Sequence, residues 1–237
     1  MSSVLEGARK GSEDSMKLKH IQRSESLEGT ARVGALFLKD IANGPASTAL
    51  RDRMDGLSEE LRLSIGDRRL SQLEVVRRAR SLYHAIGIDP TKDRPPSERL
   101  LRRAVAKQDL PSFNKLVDAT NYASLALQVP LNVYDWDAIA PPVLIRVGRP
   151  EEIYTGVSGS PILLEGNLVL VDGEGPFGSP SQDSRRATVS MGTVRALVVA
   201  WSPADSSNEH LEGALKEVDA LCDEFCGARA TEWGILN

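Results

Sequence analysis

The sequence predicts an α+β domain, and three observations carry that expectation. Amphipathic helical patterns fill most of residues 46–127 and return near the C-terminus. From Pro141 onward, short apolar or alternating runs are separated by Gly, Pro and Asn, which is the pattern of strands. No internal repeat or linker divides the two parts, so helices should pack on a β-rich second half. With 237 residues, 41% hydrophobic and 26% charged, the chain is large and apolar enough to bury one core.

The first 31 residues are polar and aperiodic and are expected to form a disordered tail, with Met16 a candidate start. "RVGALFLKDIANGP" (32–45) predicts a buried strand ended by Asn43-Gly44-Pro45. Residues 46–65 place Leu50, Met54, Leu57 and Leu61 on one helical stripe. "SQLE" (71–74) reads as a capping box opening a helix that runs through Val76 and Tyr83 to Gly87. "DPTKDRPP" is a rigid loop, after which Ser97 is expected to cap a short basic helix to Lys107.

"LVDATNYASLALQVPLNVYDWDAI" (116–139) begins as a helix and ends as a proline turn. Asp118, Asn121 and Tyr122 are three and four apart and share a helix face, with Asn114 one turn earlier. "PVLIRVG", "EEIYTG", "SPILLEG", "NLVLVDG" and "RALVVAW" then predict short strands in hairpins. Ser206 and Glu209 suggest a second capping box. The helix it opens carries Leu211, Leu215, Val218, Leu221, Cys222 and Phe225 on one stripe, ends at Gly227, and leaves 228–237 as a tail.

Composition narrows the function. No stretch of about 20 apolar residues could span a membrane, and the N-terminus lacks a signal-type apolar core, so a cytoplasmic protein is expected. Cys222 and Cys226 and three scattered histidines match no zinc spacing; no metal or cofactor is expected, and both cysteines should be buried and reduced. A net charge of −4 argues against a general nucleic-acid coat, and neither DNA nor a membrane is an expected partner. Arg99, Arg102, Arg103 and Lys107 nevertheless fall on one helix face, either simply solvated or able to grip a few RNA phosphates.

Neither "GVSGS" (156–160) nor "GEGPFGSP" (173–180) opens a helix, so both predict tight turns rather than phosphate loops. A nucleophile elbow at Ser158 fails because Ser160 replaces the last glycine. "DGEGPFGSPSQDSRRATVSMGT" (172–193) is a long, polar, flexible loop, either functional or an exposed hairpin extension.

Asn114, Val117-Asp118, Thr120-Asn121-Tyr122, Pro130-Leu131 and Tyr134-Asp135-Trp136-Asp137 fall in register with one family pattern. With "NLVLVDGEG" and "QDSRRATVSMGT", they resemble the tRNA-binding editing domain of the bacterial phenylalanyl-tRNA synthetase beta chain. The likeness covers roughly 32–227 and is closer to freestanding relatives. Those share an arm that Ser97, Leu101, Arg102 and Arg103 nearly match, and an Asp-Ser-x-Arg-x-Thr loop.

The resemblance implies a three-layer α+β fold in which helices and a sheet back onto a small β-sandwich. It also implies a tRNA or aminoacyl-tRNA partner and hydrolysis of a mischarged ester, without aminoacylation. The implied substrate-binding residues are Asp118, Asn121, Tyr122, Asn132, Gln182, Asp183, Ser184 and Arg185, with Arg99, Arg102, Arg103 and Lys107 on RNA phosphates. Asp118 and Asn121 would alternatively tie neighbouring loops together. Two departures matter. Asn132 stands where many synthetases have His, and Gln182 stands near a family Glu; neither can act as a general base. The alternative is therefore a non-catalytic module that binds aminoacyl-tRNA or a free amino acid.

Overall fold

In the computed structural model, residues 16–236 are described. Residues 1–15, and the disorder expected of them, lie outside these bounds, as does Asn237. The strands are β1 (Ile21–Arg23), β2 (Ala31–Lys39), β3 (Leu131–Asp135), β4 (Val143–Val147), β5 (Ile153–Thr155), β6 (Pro161–Leu163), β7 (Leu168–Asp172), β8 (Gly175–Gly178), β9 (Ala196–Pro203) and β10 (Arg229–Leu236). The helices are α1 (Thr48–Ile65), α2 (Glu74–Ala85), α3 (Pro96–Val105), α4 (Lys115–Leu127) and α5 (Asn208–Cys226).

The fold is α+β in three layers. The central sheet runs β10-β2-β9-β3, every pair antiparallel. β2 reads "ARVGALFLK" and has apolar residues on both faces, because both faces are covered. Val33, Ala35 and Phe37 point to one side, with Leu197, Val199 and Trp201 of β9. They pack on a second sheet ordered β1-β4-β7-β8, through Val143, Ile145, Leu168 and Leu170. Leu36 and Leu38 point the other way, onto Leu116, Ala119 and Ala123 of α4 and Leu215 and Val218 of α5. The period of two thus sorts one strand's residues between two cores. Met54 of α1 and Leu100 and Leu101 of α3 form a third cluster around Leu125.

Several expectations are corrected. Residues 16–31 are not a disordered tail: Met16, Ile21 and Leu27 are buried, and β1 adds in parallel to β4. Residues 229–236 are not a tail either, since β10 pairs with β2 over most of its length. The turn expected after Pro130 is a strand. β3 pairs with β9 from Leu131↔Ala200 to Asp135↔Ala196, and its polar side chains hid the strand pattern. β9 is not a hairpin arm but lies between β2 and β3.

The caps differ as well. α2 starts after Leu73, α3 after Pro95 and α5 after Ser207, none with a side-chain cap. Residues Leu70–Gln72 form a short 3-10 turn instead of the box. Ser97 sits inside α3, fully buried. α4 is capped as its sequence allows: Asn114 Oδ1 accepts from the Val117 N–H at 3.0 Å. Cys222 and Cys226 are buried free thiols on α5.

The 172–193 segment is not an exposed extension. Phe177, Ala187 and Val189 are buried, and β8 pairs with β7. Arg186 clamps the segment from within. Its guanidinium meets both oxygens of the buried Asp172 carboxylate at 2.8 and 2.9 Å and donates to the carbonyls of Ala138 and Gly175. It also lies over the Phe177 ring at 5.6 Å.

Candidate functional site

α4, β3 and the clamped 179–189 segment enclose a cleft of about 260 Å³. Asn114, the cap of α4, and Val117 and Asn121 on the helix form one wall. Asp183 and Thr188 stand on another, with Leu131 and Asn132 from β3 between them. Phe113 and Val157 lie at its edge, 62% and 56% exposed. The lining is mostly apolar with a few converging polar groups, which is the character of a ligand site. A larger depression of about 680 Å³, between α2 and the start of α5, is wide open and lined largely by charged surface residues.

Asp183 is the chemical centre of the cleft. Its carboxylate accepts from the Tyr134 hydroxyl at 2.7 Å and from Asn132 Nδ2 at 3.0 and 3.2 Å. Burial pushes its pKa up to about 6, against the opposing pull of those two donors and of the Arg99 charge. Three of the four tyrosines hold this loop. Besides Tyr134, the Tyr83 hydroxyl donates to the Pro180 carbonyl at 2.9 Å, and the Tyr154 hydroxyl donates to the Gln182 carbonyl. Burial raises all three phenols far above neutrality, so they remain donors. Tyr134 reaches Asp183 only because Gly178 has no side chain. A Cβ there would fall 2.3 Å from the Tyr134 hydroxyl oxygen. Gly178→Ala is therefore expected to cost about 1–3 kcal/mol in urea unfolding, through overpacking of a fixed ring.

The sequence-predicted residues divide between the cleft and other surroundings. Asn121, Asn132 and Asp183 line it together. Asp118 faces the other side of α4, where it accepts from Ser112 Oγ at 2.6 Å and the Phe113 N–H at 2.8 Å beside a separate cavity of about 450 Å³. It ties down the loop before α4, as one of the two alternatives had it. Tyr122 packs among the side chains of α1, α3 and α5. Gln182 and Arg185 are exposed. Ser184 is buried, with its hydroxyl unpartnered. Trp201, which no sequence motif flagged, donates its indole N–H to Asn132 Oδ1 at 2.8 Å.

The basic face is engaged within the molecule. Arg99 donates to Asp93 and to the carbonyls of Arg94 and Ser181. Arg102 pairs at 2.8 Å with the buried Glu98, which Arg80 also holds through two contacts at 2.7 Å. Burial would raise the Glu98 pKa, but these two guanidiniums keep it below the usual carboxylate value. Arg103 donates to the Asp109 carbonyl, and Lys107 is exposed at the end of α3 with a left-handed backbone.

A family model described as "B3/4 domain" matches residues 78–212. The chain belongs to the B3/4 domain family. The match takes in α3, α4, the cleft and its loop. This B3/4 domain is similar to the phenylalanine--tRNA ligase beta subunit of Psychrobacter arcticus, with 37% identity over 89 residues, 37% of this chain and 11% of that protein. The corresponding subunit of Anaeromyxobacter dehalogenans is 33% identical over 110 residues, 45% of this chain and 14% of that one. The similarity thus spans about a tenth of these relatives' length. An N-terminal fragment of the phenylalanyl-tRNA synthetase beta subunit from Pyrococcus horikoshii superposes with a TM-score of 0.50 at 14% identity, covering 89% of this chain and 50% of that one; this likeness concerns the fold. Among the described residues, no helix is long and apolar enough to cross a membrane.

Proposed function

We propose that the B3/4 domain binds the aminoacylated 3′ end of a tRNA in the α4–β3 cleft and hydrolyses its ester. One observation carries the catalytic part: a carboxylate held by Tyr134 and Asn132 lines a largely apolar cleft, where desolvation pushes its pKa up to about 6. Ionised at neutral pH yet still basic, Asp183 is matched to taking a proton from water as that water attacks the ester carbonyl. The two departures from the family pattern, Asn132 and Gln182, then lose their force. Asn132 serves Asp183 as a donor, and the base lies on the neighbouring residue.

The apolar lining from Leu131, Val133 and Val189 suits an apolar or aromatic amino-acid side chain. Similarity to beta subunits of a tRNA ligase supports the tRNA as carrier. The rival reading keeps the cleft and drops the reaction. The ionised Asp183 would hold the ammonium of an aminoacyl end or a free amino acid, and the two donors already on it favour a fixed receptor.

A panel of mischarged tRNAs, including tyrosyl-tRNA of the phenylalanine isoacceptor, separates the readings. Rapid single-turnover deacylation of at least one member is expected. Binding with no release above the buffer rate would leave the receptor reading in its place.

Arg102 and Arg103 extend the proposal to the RNA backbone, with their guanidiniums reaching phosphates from the exposed side of α3. Their replacement by Ala should weaken tRNA binding and flatten its salt dependence by about 0.7 in log–log slope per lost contact with single-stranded RNA. Binding of a free aminoacyl-adenosine should not change. Unchanged tRNA affinity in the folded double variant would confine both residues to their internal partners, Glu98 and the Asp109 carbonyl.

A further inference from the structure

Trp201 lies behind the cleft, fully buried on β9. Its main-chain N–H donates to the Pro130 carbonyl at 3.0 Å, at the entrance to β3. Its indole N–H donates to Asn132 Oδ1 at 2.8 Å. An indole is a donor only, and a buried donor needs an acceptor, so the Asn132 oxygen must face it. The Asn132 NH2 group then faces Asp183 at 3.0 and 3.2 Å. Turning the amide over would set NH2 against the indole N–H and Oδ1 against the carboxylate. Both hydrogen bonds would be lost together. The amide has two hydrogens, and its only side-chain or main-chain acceptors among the described residues are the Asp183 oxygens.

We propose that Trp201 is a positioning residue: its indole locks the Asn132 carboxamide with NH2 toward Asp183 and leaves the second N–H for the carbonyl oxygen of a bound ester. The part concerning the ester rests on the deacylase reading; the lock itself does not. The locked amide supports only the ionised carboxylate, because its oxygen is held away from any proton on Asp183. In the reaction, the free N–H would meet the oxyanion formed as water attacks and Asp183 takes the water's proton; the bond from the carbonyl carbon to the ribose oxygen then breaks, and that oxygen leaves with the proton from Asp183, releasing the amino acid. The other titratable or charged groups around Asp183 are Tyr83, Tyr134, Tyr154 and Arg99. The three phenols are pushed far above neutrality, which leaves Asp183 to report on the lock.

The test replaces Trp201 with benzothienylalanine, which keeps the ring shape and exchanges N–H for sulfur, alongside Trp201→Phe. Carboxyl-carbon NMR follows the Asp183 titration in ligand-free protein whose fold is checked by circular dichroism. Once the amide can turn over, its oxygen can accept from protonated Asp183. The Asp183 midpoint is then expected to rise by about half to one pH unit in the analogue protein. An unchanged midpoint in the folded analogue protein overturns the lock.

In the deacylation assay, Asn132→Ala should lower the single-turnover rate about 100-fold. Adding Trp201→Phe to it should lower the rate no further, because the tryptophan acts through the amide. Additive losses would assign Trp201 to packing alone. Should the unsubstituted protein release no amino acid from any tRNA, the deacylase reading fails, and the titration still decides the lock.

Discussion

Asp183→Asn is expected to abolish ester hydrolysis and yet leave the protein at least as stable as before at neutral pH. Removal of a general base typically costs about 10²–10⁴ in rate. The unsubstituted protein's rate, corrected for the buffer reaction, should climb about tenfold per pH unit below about 6 and level off above, because only the ionised carboxylate takes the proton.

The stability arm follows from the same shift with the opposite sign. An unfolded Asp titrates near about 3.9, below its folded value of about 6. Between these values the native state holds more of the proton, so stability falls as pH rises through the window. Above it, the native protein bears the cost of a partly desolvated carboxylate. Asparagine removes that cost, and its Oδ1 can still accept from Tyr134 or Asn132. Urea unfolding at neutral pH should show a midpoint equal to or above the original. A clear loss of stability in Asp183→Asn would mean that the carboxylate holds the fold and is not poised for chemistry.

Asp172→Ala should have the largest effect on folding. The side chain is fully buried and accepts from both terminal nitrogens of Arg186 and from the main-chain N–H groups of Ala140 and Glu174. Removing it leaves a partly buried guanidinium and two N–H groups without their acceptor. Breaking a buried pair from one side costs about 3–5 kcal/mol. Denaturant unfolding measures it, and a loss below about 1 kcal/mol would show that water takes over the role. Deacylation should also fall in the folded fraction, because Arg186 anchors the segment that carries Asp183.

Much of the architecture was legible in the chain. The stripes of α1, α4 and α5 and the two-faced apolar run of β2 depend on local periodicity, which sequence displays directly. Asn114 as a cap was equally local, since its partner lies three residues on. Local signals also misled. Ser71, Ser97 and Ser206 have the residue type of a cap, yet α2, α3 and α5 start elsewhere, because where a helix begins depended on how it packs. β3 and β10 escaped notice because their pairing partners, β9 and β2, are distant in sequence.

For the site, the residues by themselves singled out the 114–137 block and the 172–193 segment separately, the family resemblance implied that they face each other, and Asn121, Asn132 and Asp183 do meet in one cleft. The chain alone could not say that Asp118 and Tyr122 face away from it, since a helix face is wide and the neighbours divide it. Nor could it rank Asp183 above the other carboxylates. Its raised pKa comes from burial among Tyr134, Asn132 and the clamped loop, which long-range packing alone creates. Residue type and spacing are properties of the chain. Desolvation, and the orientation an indole imposes on an amide 69 positions away, exist only once the chain has folded.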